Sequence, residues 1–312
     1  MRILFLVALL TFSATAQKKK EKPEVTQVRA LPKDPPAVAF GETSRLVFHV
    51  SPLSNKGLLT PQTREAIKAL MKLNGGLPIV HIRAFVAGSG DLRRVPQIIS
   101  EVLTDKHQEL PSISVIQTGG LPMVGAQVVL EATSVAKKPV NLNGLTITKG
   151  FPAPTLEASL TLLATALGTS DPQRVTCYVS QIEPDSISTM TRRFPKAIAN
   201  VVQTQRAPVQ NQSSCEAVGR GGPVTAARLA FTGTQIAFGY GEKDAALAFQ
   251  RFDQQLGANT EVVTLNIYPL SQKVLETARK VRPSLTTTPY PSIEGLASMD
   301  GTFAIDAIAV AK

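Results

Sequence analysis

The chain has 312 residues, of which 43% are hydrophobic and 18% charged, with a net charge of +10 and a pI near 9.7. This composition is typical of a globular protein of two or three domains and excludes a largely disordered or fibrous one. The excess of Lys and Arg raises the question of nucleic acid, which binds clustered cations. Here the positive residues are dispersed, aromatic residues make up only 5% and Trp is absent, so neither a stacking platform nor a zinc finger is predicted.

The first residues have the pattern of a secretory signal peptide. Met1-Arg2 is followed by an apolar run over residues 3–12 and by the small-residue sequence Ala14-Thr15-Ala16. We therefore predict a signal peptide over residues 1–16, and a periplasmic or secreted protein. The alternative is an N-terminal membrane anchor, but the run is shorter than the roughly 20 residues that span a bilayer. Residues 17–36 are charged and Pro-rich, which predicts a flexible leader; its KKK run could alternatively bind acidic surfaces.

The stretch over residues 79–135 predicts a β-α-β-β unit. IVHIRAFV alternates as a strand does, and the turn GSGDL follows it. RRVPQIISEVL then has apolar residues at helical spacing, and ISVIQT and QVVLEATSV are predicted return and final strands.

Similar segments recur along the chain. The first strand has counterparts at residues 175–179 and 263–267, so the three equivalent strands begin at residues 80, 175 and 263. A further strand followed by an amphipathic helix precedes each of them, with these upstream strands at residues 44–51, 143–150 and 228–235. This period predicts three tandem α+β units. We place them at residues 37–138, 139–222 and 223–312, joined by short connections at 136–140 and 219–223.

The order of these segments resembles the RidA family, also called YjgF, L-PSP-like or Rid, over about residues 38–312. The first copy matches at Phe85-Val86, at Pro111 with Ser114, and at Glu131-Ala132. Residues 213–220, SSCEAVGR, resemble the family's R-S-C-V-E-V-A-R, and residues 306–310, DAIAV, resemble E-A-I-A-V. The resemblance implies ferredoxin-like (chorismate-mutase-like) units. Because the family forms homotrimers with sites between subunits, it also implies a monomeric intramolecular pseudo-trimer with the helices outside.

The resemblance also implies a comparison with 2-iminobutanoate/2-iminopropanoate deaminases. In those family members an arginine in P-x-R-S holds the substrate carboxylate, which suits a planar guanidinium. At that position this chain has Ile113, Ser213 and Leu285. A second family acid corresponds to Val129 and Ala304, and the second copy has no clear counterpart. Glu131 and Asp306 match the neighbouring acid and are interpreted as interface or structural carboxylates.

The second copy carries the candidate ligand-binding residues Ser213, Ser214, Cys215, Glu216 and Arg220, because the equivalent segments at 113–117 and 285–288 lack charge. The histidines His49, His81 and His107 have no partner at metal-ligand spacing, so no metal or other cofactor is predicted, and His81 is interpreted as a surface or interface residue.

Cys177 and Cys215 are the two cysteines. A disulfide requires their Cα atoms to lie within about 7 Å. We favour the alternative of two buried thiols packed as small apolar groups.

Three functional hypotheses follow. The first is an exported, catalytically degenerate Rid-like protein that binds a small molecule between units or serves as a scaffold. The second is an imine or enamine hydrolase with a rearranged site in the second unit. The third is RNA binding or cleavage.

Overall fold

The computed structural model describes residues 38–41, 46–88, 92–135, 145–204, 206, 211–220, 229–285 and 291–311. The predicted signal peptide, the leader and the predicted connection at 136–140 lie outside the described residues.

The order of two strands, a helix, a strand, a helix and two strands occurs three times along the described chain. The first stretch contains β1 (Val38–Gly41), β2 (Leu46–Val50), α1 (Leu59–Leu73), β3 (Ile79–Ala87), α2 (Arg94–Asp105), β4 (Ser112–Thr118) and β5 (Val128–Val135). The second contains β6 (Leu145–Thr148), β7 (Phe151–Ala153), α3 (Leu156–Leu167), β8 (Arg174–Val179), α4 (Ser186–Arg193), β9 (Ile198–Gln203) and β10 (Ser213–Arg220). The third contains β11 (Leu229–Phe231), β12 (Gln235–Ala237), α5 (Glu242–Leu256), β13 (Thr260–Pro269), α6 (Gln272–Val281), β14 (Gly295–Leu296) and β15 (Phe303–Ala311). The protein is therefore a mixed α+β protein.

These strands form three sheets. The first has the order β2-β5-β3-β4, with β3 and β4 parallel. The second has the order β1-β6-β10-β8-β9-β14, with β7 also paired to β10 and with β8 and β9 parallel. In the third, β15 pairs with β11, β12 and β13. β1 and β14 thus extend the second sheet although they come from the first and third stretches of the chain.

Each sheet packs one face against its own helices, because alternate strand residues and one stripe of each helix are apolar. In the first sheet the stripe of α2 contributes Val95, Ile99, Val102 and Leu103, as the periodicity predicted. Equivalent cores form around α3 and α4 and around α5 and α6. Among the helices of the described ranges, none has both the length and the apolar character needed to cross a membrane.

The opposite faces of the three sheets meet one another. An apolar cluster at this junction draws residues from all three: Phe85, Ile116, Val129, Tyr178, Val202, Tyr268, Ile293, Leu296 and Ala304. The edge-to-face contact of Phe85 with Tyr178, with ring centroids 6.4 Å apart, joins the first sheet to the second. Each sheet is therefore buried on both faces, and its side chains divide into a helix-side set and a junction set.

The two cysteines form a disulfide, so the prediction of two free thiols is wrong. Cys177 on β8 lies directly opposite Cys215 on β10, with a Cα–Cα distance of 4.1 Å. Both side chains are buried in the helix-side core of the second sheet. The prediction failed because it did not establish that these two residues face each other on adjacent strands.

Candidate functional site at the sheet junction

The register of the strands places an acid opposite a polar residue in each sheet. On the first sheet Arg83 of β3 is opposite Glu131 of β5. On the second, Thr176 of β8 is opposite Glu216 of β10. On the third, Asn266 of β13 is opposite Asp306 of β15. All six residues lie on the junction side of their strands, because their neighbours in sequence belong to the helix-side cores.

This polar layer lies between two others. Two residues further along each strand are Phe85, Tyr178 and Tyr268, which belong to the apolar junction cluster. Two residues earlier are His81 on β3 and Arg174 on β8. Successive residues on one face of a strand are two apart, so the polar and aromatic layers follow each other in the same order on β3, β8 and β13. The aromatic layer therefore lies on one side of the polar layer, and His81 and Arg174 lie on the other.

Arg83 connects all three sheets. Its Nε and Nη2 atoms donate to Oε1 of Glu216 at 3.0 and 2.5 Å. Its Nη1 donates to Oε2 of Glu131 at 3.0 Å and to Oδ1 of Asn266 at 3.2 Å. Ser114 of β4 and Tyr178 of β8 donate to Glu216 as well. A charged group this deeply buried is stable only when its donors are used in this way.

Arg174 makes a second ion pair, between the second and third sheets. Its Nη1 lies 2.8 Å from Oδ1 of Asp306, and its Nη2 donates to the carbonyl oxygens of Thr232 and Ala307 at 2.7 and 2.6 Å. Asp306 also accepts from Asn266 at 2.6 Å and from Asn200 at 3.3 Å. Within the described residues, the Nε atom of Arg174 has no hydrogen-bond partner.

The surroundings shift the pKa values of this cluster in different directions. Burial raises the pKa of Glu131 against the opposing effect of Arg83. Burial acts in the same sense on Glu216, but Arg83, His81 and Ser114 together hold the pKa of Glu216 below its ordinary value. Burial also lowers the pKa of His81 to about 4, so the imidazole is neutral at physiological pH. Glu131 is therefore the carboxylate of the Arg83 pair that takes up a proton more readily.

His81 was predicted to lie either at the surface or at an interface. It lies deep in the junction, as the second of these predicted. It is 5% exposed, its Nδ1 lies 2.8 Å from the hydroxyl oxygen of Ser112, and its Nε2 lies 3.7 Å from Oε2 of Glu216.

A small cavity of about 40 Å³ lies beside the polar layer. Its lining comes from all three sheets: Phe48, His81, Arg83, Glu131, Thr133, Ile147, Arg174, Thr176, Glu216, Val218, Asn266 and Ile308. Since a water molecule needs about 10–15 Å³ measured in this way, the cavity has room for a few non-hydrogen atoms. Within the described ranges, no group of three or more His, Cys, Asp or Glu residues is arranged to hold a metal ion.

The five candidate ligand-binding residues of the second copy do not form one site. Ser213 and Cys215 lie on the helix side of β10, and Cys215 is in the disulfide. Ser214 and Glu216 lie on the junction side, where Glu216 joins the Arg83 network. The side chain of Arg220 lies outside the described residues. Consecutive strand residues point to opposite faces, so the structure places Ser214 and Glu216 together on one face of β10 and Ser213 and Cys215 on the other.

The structure also places the three residues predicted to occupy the position of the family arginine. Ile113 belongs to the helix-side core of the first sheet and Leu285 to that of the third. Ser213 is on β10, which pairs antiparallel with β8, whereas the strand parallel to β8 is β9. On β9, the residue at the position of Ile113 is Ala199, because Ile82 is opposite Ile113 and Val175 is opposite Ala199. None of these residues faces the junction.

The same register changes the assignment of the acids. Glu216 is the counterpart of Glu131 and Asp306, and Ser214 is the counterpart of Val129 and Ala304. Sequence reasoning therefore missed Arg83, Arg174 and the convergence of three acids. Aligning the strands on Phe85, Tyr178 and Tyr268 would have revealed the polar layer, because each aromatic residue follows a polar residue by two positions.

A second, smaller cleft lies between β4 of the first sheet and β8 and β10 of the second. It has a volume of about 30 Å³, and Ile116, Gln117, Tyr178 and Ser214 are among its lining residues. Within the described residues the hydroxyl group of Ser214 is buried and has no hydrogen-bond partner.

Comparisons with known proteins show partial similarity to Rid proteins. No family model matches the chain, and none of the curated proteins compared matches it. Among solved structures, the Rid protein YyfB from Yersinia pestis is 18% identical, with 30% of this chain and 80% of that chain covered at a TM-score of 0.25. Rv2704 of the YjgF/YER057c/UK114 family from Mycobacterium tuberculosis is 20% identical, with 31% and 80% covered at a TM-score of 0.26. A chorismatase is 12% identical, with 88% of this chain and 99% of that chain covered at a TM-score of 0.46.

Proposed function

We propose that this chain is an exported Rid-like protein whose three units close into one intramolecular ring, and that it binds a small molecule at the unit junction instead of hydrolysing imines. The units are those at residues 37–138, 139–222 and 223–312. The observation that carries the proposal is the buried polar cluster to which all three sheets contribute, with a cavity beside it. The repeated register of Arg83 with Glu131, Thr176 with Glu216, and Asn266 with Asp306 supports a pseudo-threefold relation among the units.

The engagement of both junction arginines argues against deamination of the usual Rid kind. Arg83 directs two of its nitrogen atoms to Glu216 and the third to Glu131 and Asn266. Arg174 is held by Asp306 and two carbonyl oxygens. Neither guanidinium offers an open pair of parallel donors to a substrate carboxylate, the geometry that makes arginine suitable for this task.

Ammonia release from 2-imino acids generated in situ tests this proposal. The mature protein should release no more ammonia than the buffer, while an arginine-bearing family member assayed alongside should be active. Turnover comparable to that of the family member would overturn the proposal.

Light scattering tests the intramolecular ring. The purified mature chain should have the mass of a monomer, because three units in one chain take the places of three subunits. A stable trimer of chains, with nine units, would exclude the closed ring.

Mass spectrometry of the exported protein should find Gln17 at the N-terminus, and an intact N-terminus would contradict signal-peptide cleavage.

An imine hydrolase with a rearranged site is the alternative, and the buried Ser214 hydroxyl beside the smaller cleft favours it. If ammonia is released, Ser214→Ala should abolish the turnover, whereas full activity in this variant would exclude that cleft.

RNA binding stays a prediction, which salt-dependent retention of RNA by the mature protein tests.

A further inference from the structure

His81 presents an unused nitrogen atom to the cavity at the sheet junction. The hydroxyl group of Ser112 donates to the carbonyl oxygen of Val80 at 3.3 Å, so its oxygen accepts from the Nδ1–H group of His81 at 2.8 Å. Because burial keeps the imidazole neutral, its Nε2 atom then carries a lone pair and no proton. His81 is 5% exposed and lines the cavity, and among the described residues its Nε2 atom has no hydrogen-bond partner, although it is not fully occluded. The cavity wall therefore contains a buried acceptor without a donor.

Further acceptors surround the same space. Oε2 of Glu216 lies 3.7 Å from Nε2 of His81, so two lone pairs face each other beyond hydrogen-bond distance. One donor atom placed between them reaches both at about 2.9 Å. Glu131 and Thr176 also line the cavity, and within the described ranges neither Oε1 of Glu131 nor the hydroxyl group of Thr176 has a hydrogen-bond partner or is fully occluded. The wall favours an occupant that carries several donors.

The charge of the cluster favours a cation. The two junction arginines contribute two positive charges, and the three acids of the network contribute three negative charges when ionised: Glu131, Glu216 and Asp306. Neutral His81 adds no charge, so one negative charge is left over in a buried site. A buried charge without a counter-charge is costly. A monovalent cation removes this cost, and a proton on Glu131 is the competing way to remove it.

The size and chemistry of the cavity restrict that cation. A volume of about 40 Å³ is a few times what one water molecule needs, so only a very small ion fits. Hard metal cations prefer oxygen ligands to an imidazole nitrogen, and within the described ranges no group of His, Cys, Asp or Glu residues is arranged to hold a metal ion. An ammonium ion has one non-hydrogen atom, a single positive charge and four N–H donors, which match the four acceptors of the wall.

We propose that the junction cavity binds one ammonium ion, with its N–H groups donating to Nε2 of His81 and to the carboxylates of Glu131 and Glu216. The hydroxyl oxygen of Thr176 is the fourth acceptor. The inference rests on the binding function proposed above and names the chemical class of the ligand.

Thermal unfolding at pH 7 in the chlorides of three cations, at equal concentration, tests the site. Potassium has a size and charge similar to those of ammonium but has no N–H donors, and tetramethylammonium has no N–H donors and is too large for the cavity. Ammonium should raise the midpoint of unfolding above that in either other salt, by mass action on the folded state, with an apparent Kd at least tenfold lower than that for potassium. Equal midpoints in ammonium and potassium would mean that water, or a proton on Glu131, occupies the site, and would overturn the proposal.

Two variants and a control locate the site. Glu131→Gln removes the left-over charge while keeping the shape of the side chain, so it should weaken ammonium binding at least tenfold. Thr176→Val removes one acceptor at constant shape and should weaken binding at least threefold. Glu157→Gln changes an exposed carboxylate on α3 and should leave binding unchanged.

An undiminished advantage of ammonium over potassium in Glu131→Gln would overturn the site; if that variant fails to fold, the same result in Thr176→Val would overturn it. The outcome is separable from that of the imine assay. Imine turnover would refute the proposed function whatever ammonium does to the unfolding midpoint, whereas absence of an ammonium effect refutes only the ligand class.

Discussion

Replacing Arg83 with methionine should destabilise the protein through the two carboxylates it leaves behind. Methionine retains the volume and aliphatic character of much of the side chain, but Glu131 and Glu216, with side chains 8% and 3% exposed, lose their main cation. Breaking a buried ion pair by removing one partner costs about 3–5 kcal/mol, because a charge stays buried without compensation. For a chain of this size, such a loss lowers the midpoint of thermal unfolding by roughly 10 °C.

The loss should depend on pH in a defined direction. In the unaltered protein the pKa of Glu216 is held below its ordinary value. The stabilisation that ionised Glu216 contributes is therefore complete at pH values above the ordinary pKa, and it is lost as the pH falls through the lower pKa of the folded state. Without Arg83, burial raises the pKa of Glu216, and protonation relieves the penalty as the pH falls. The difference in free energy of unfolding between variant and parent should therefore be larger at pH 8 than at pH 5.

Urea unfolding at both pH values, followed by circular dichroism, measures this difference. The double variant Arg83→Met with Glu216→Gln should recover part of the stability, because it removes one of the orphaned charges. Lys196→Met, which breaks the exposed pair with Asp171, is the matched control and should leave the free energy of unfolding almost unchanged. A loss below about 1 kcal/mol, or an equal loss at both pH values, would refute the assignment of Arg83 as the ionic link between the sheets.

Three further changes test other parts of the fold. Reduction of the Cys177–Cys215 disulfide, which closes a sequence separation of 38 residues, should lower the free energy of unfolding by about 4 kcal/mol; identical urea curves with and without reductant would contradict the bond. Phe252→Ala empties a site that is 1% exposed in the third helix-side core and should cost about 3–5 kcal/mol, and a cost near zero would mean that this side chain is not packed as described. Thr155→Ala removes the hydroxyl oxygen that accepts from the backbone N–H of Ala158 at the start of α3 and should cost about 1 kcal/mol, whereas Thr155→Ser should cost little; equal losses would exclude the cap.

Local periodicity in the sequence was enough to predict individual elements. The apolar residues of α2 recur at helical spacing, and the residues of β3 alternate between the two faces of a strand, so both were predictable. These signals depend only on neighbours within one turn or one strand.

Strand assignment in the second stretch was not predictable in this way. The letters Ser213-Ser214-Cys215-Glu216 resemble the family's return strand, yet they lie on the final strand β10. The strand parallel to β8 is β9, whose sequence IANVVQ has no distinctive residue. When one strand is mistaken for its neighbour, the residues compared between the stretches of the chain no longer occupy equivalent positions, and this includes the acids.

The convergence at the junction depends on tertiary structure. Glu131, Glu216 and Asp306 are separated by at least 85 residues, from positions 131, 216 and 306, and each lies in a strand that gives no sign of the other two. Only the packing of three sheet faces brings Arg83 of the first sheet within hydrogen-bond distance of Glu216 of the second and Asn266 of the third. Sequence spacing carries no information about such a meeting.

The exchange of edge strands has a consequence for how the chain can be divided. β1 pairs with β6 along four residues, and β14 pairs with β9 along two, so both flanks of the second sheet are covered by strands from elsewhere in the chain. A fragment cut at residues 139 and 222 would expose the backbone N–H and C=O groups of β6 and β9 to solvent and to other fragments. Unpaired strand edges of this kind promote association between molecules. The middle third, expressed by itself, should therefore be prone to aggregation. A longer fragment that runs from residue 38 to residue 296 retains both covering strands and should aggregate less.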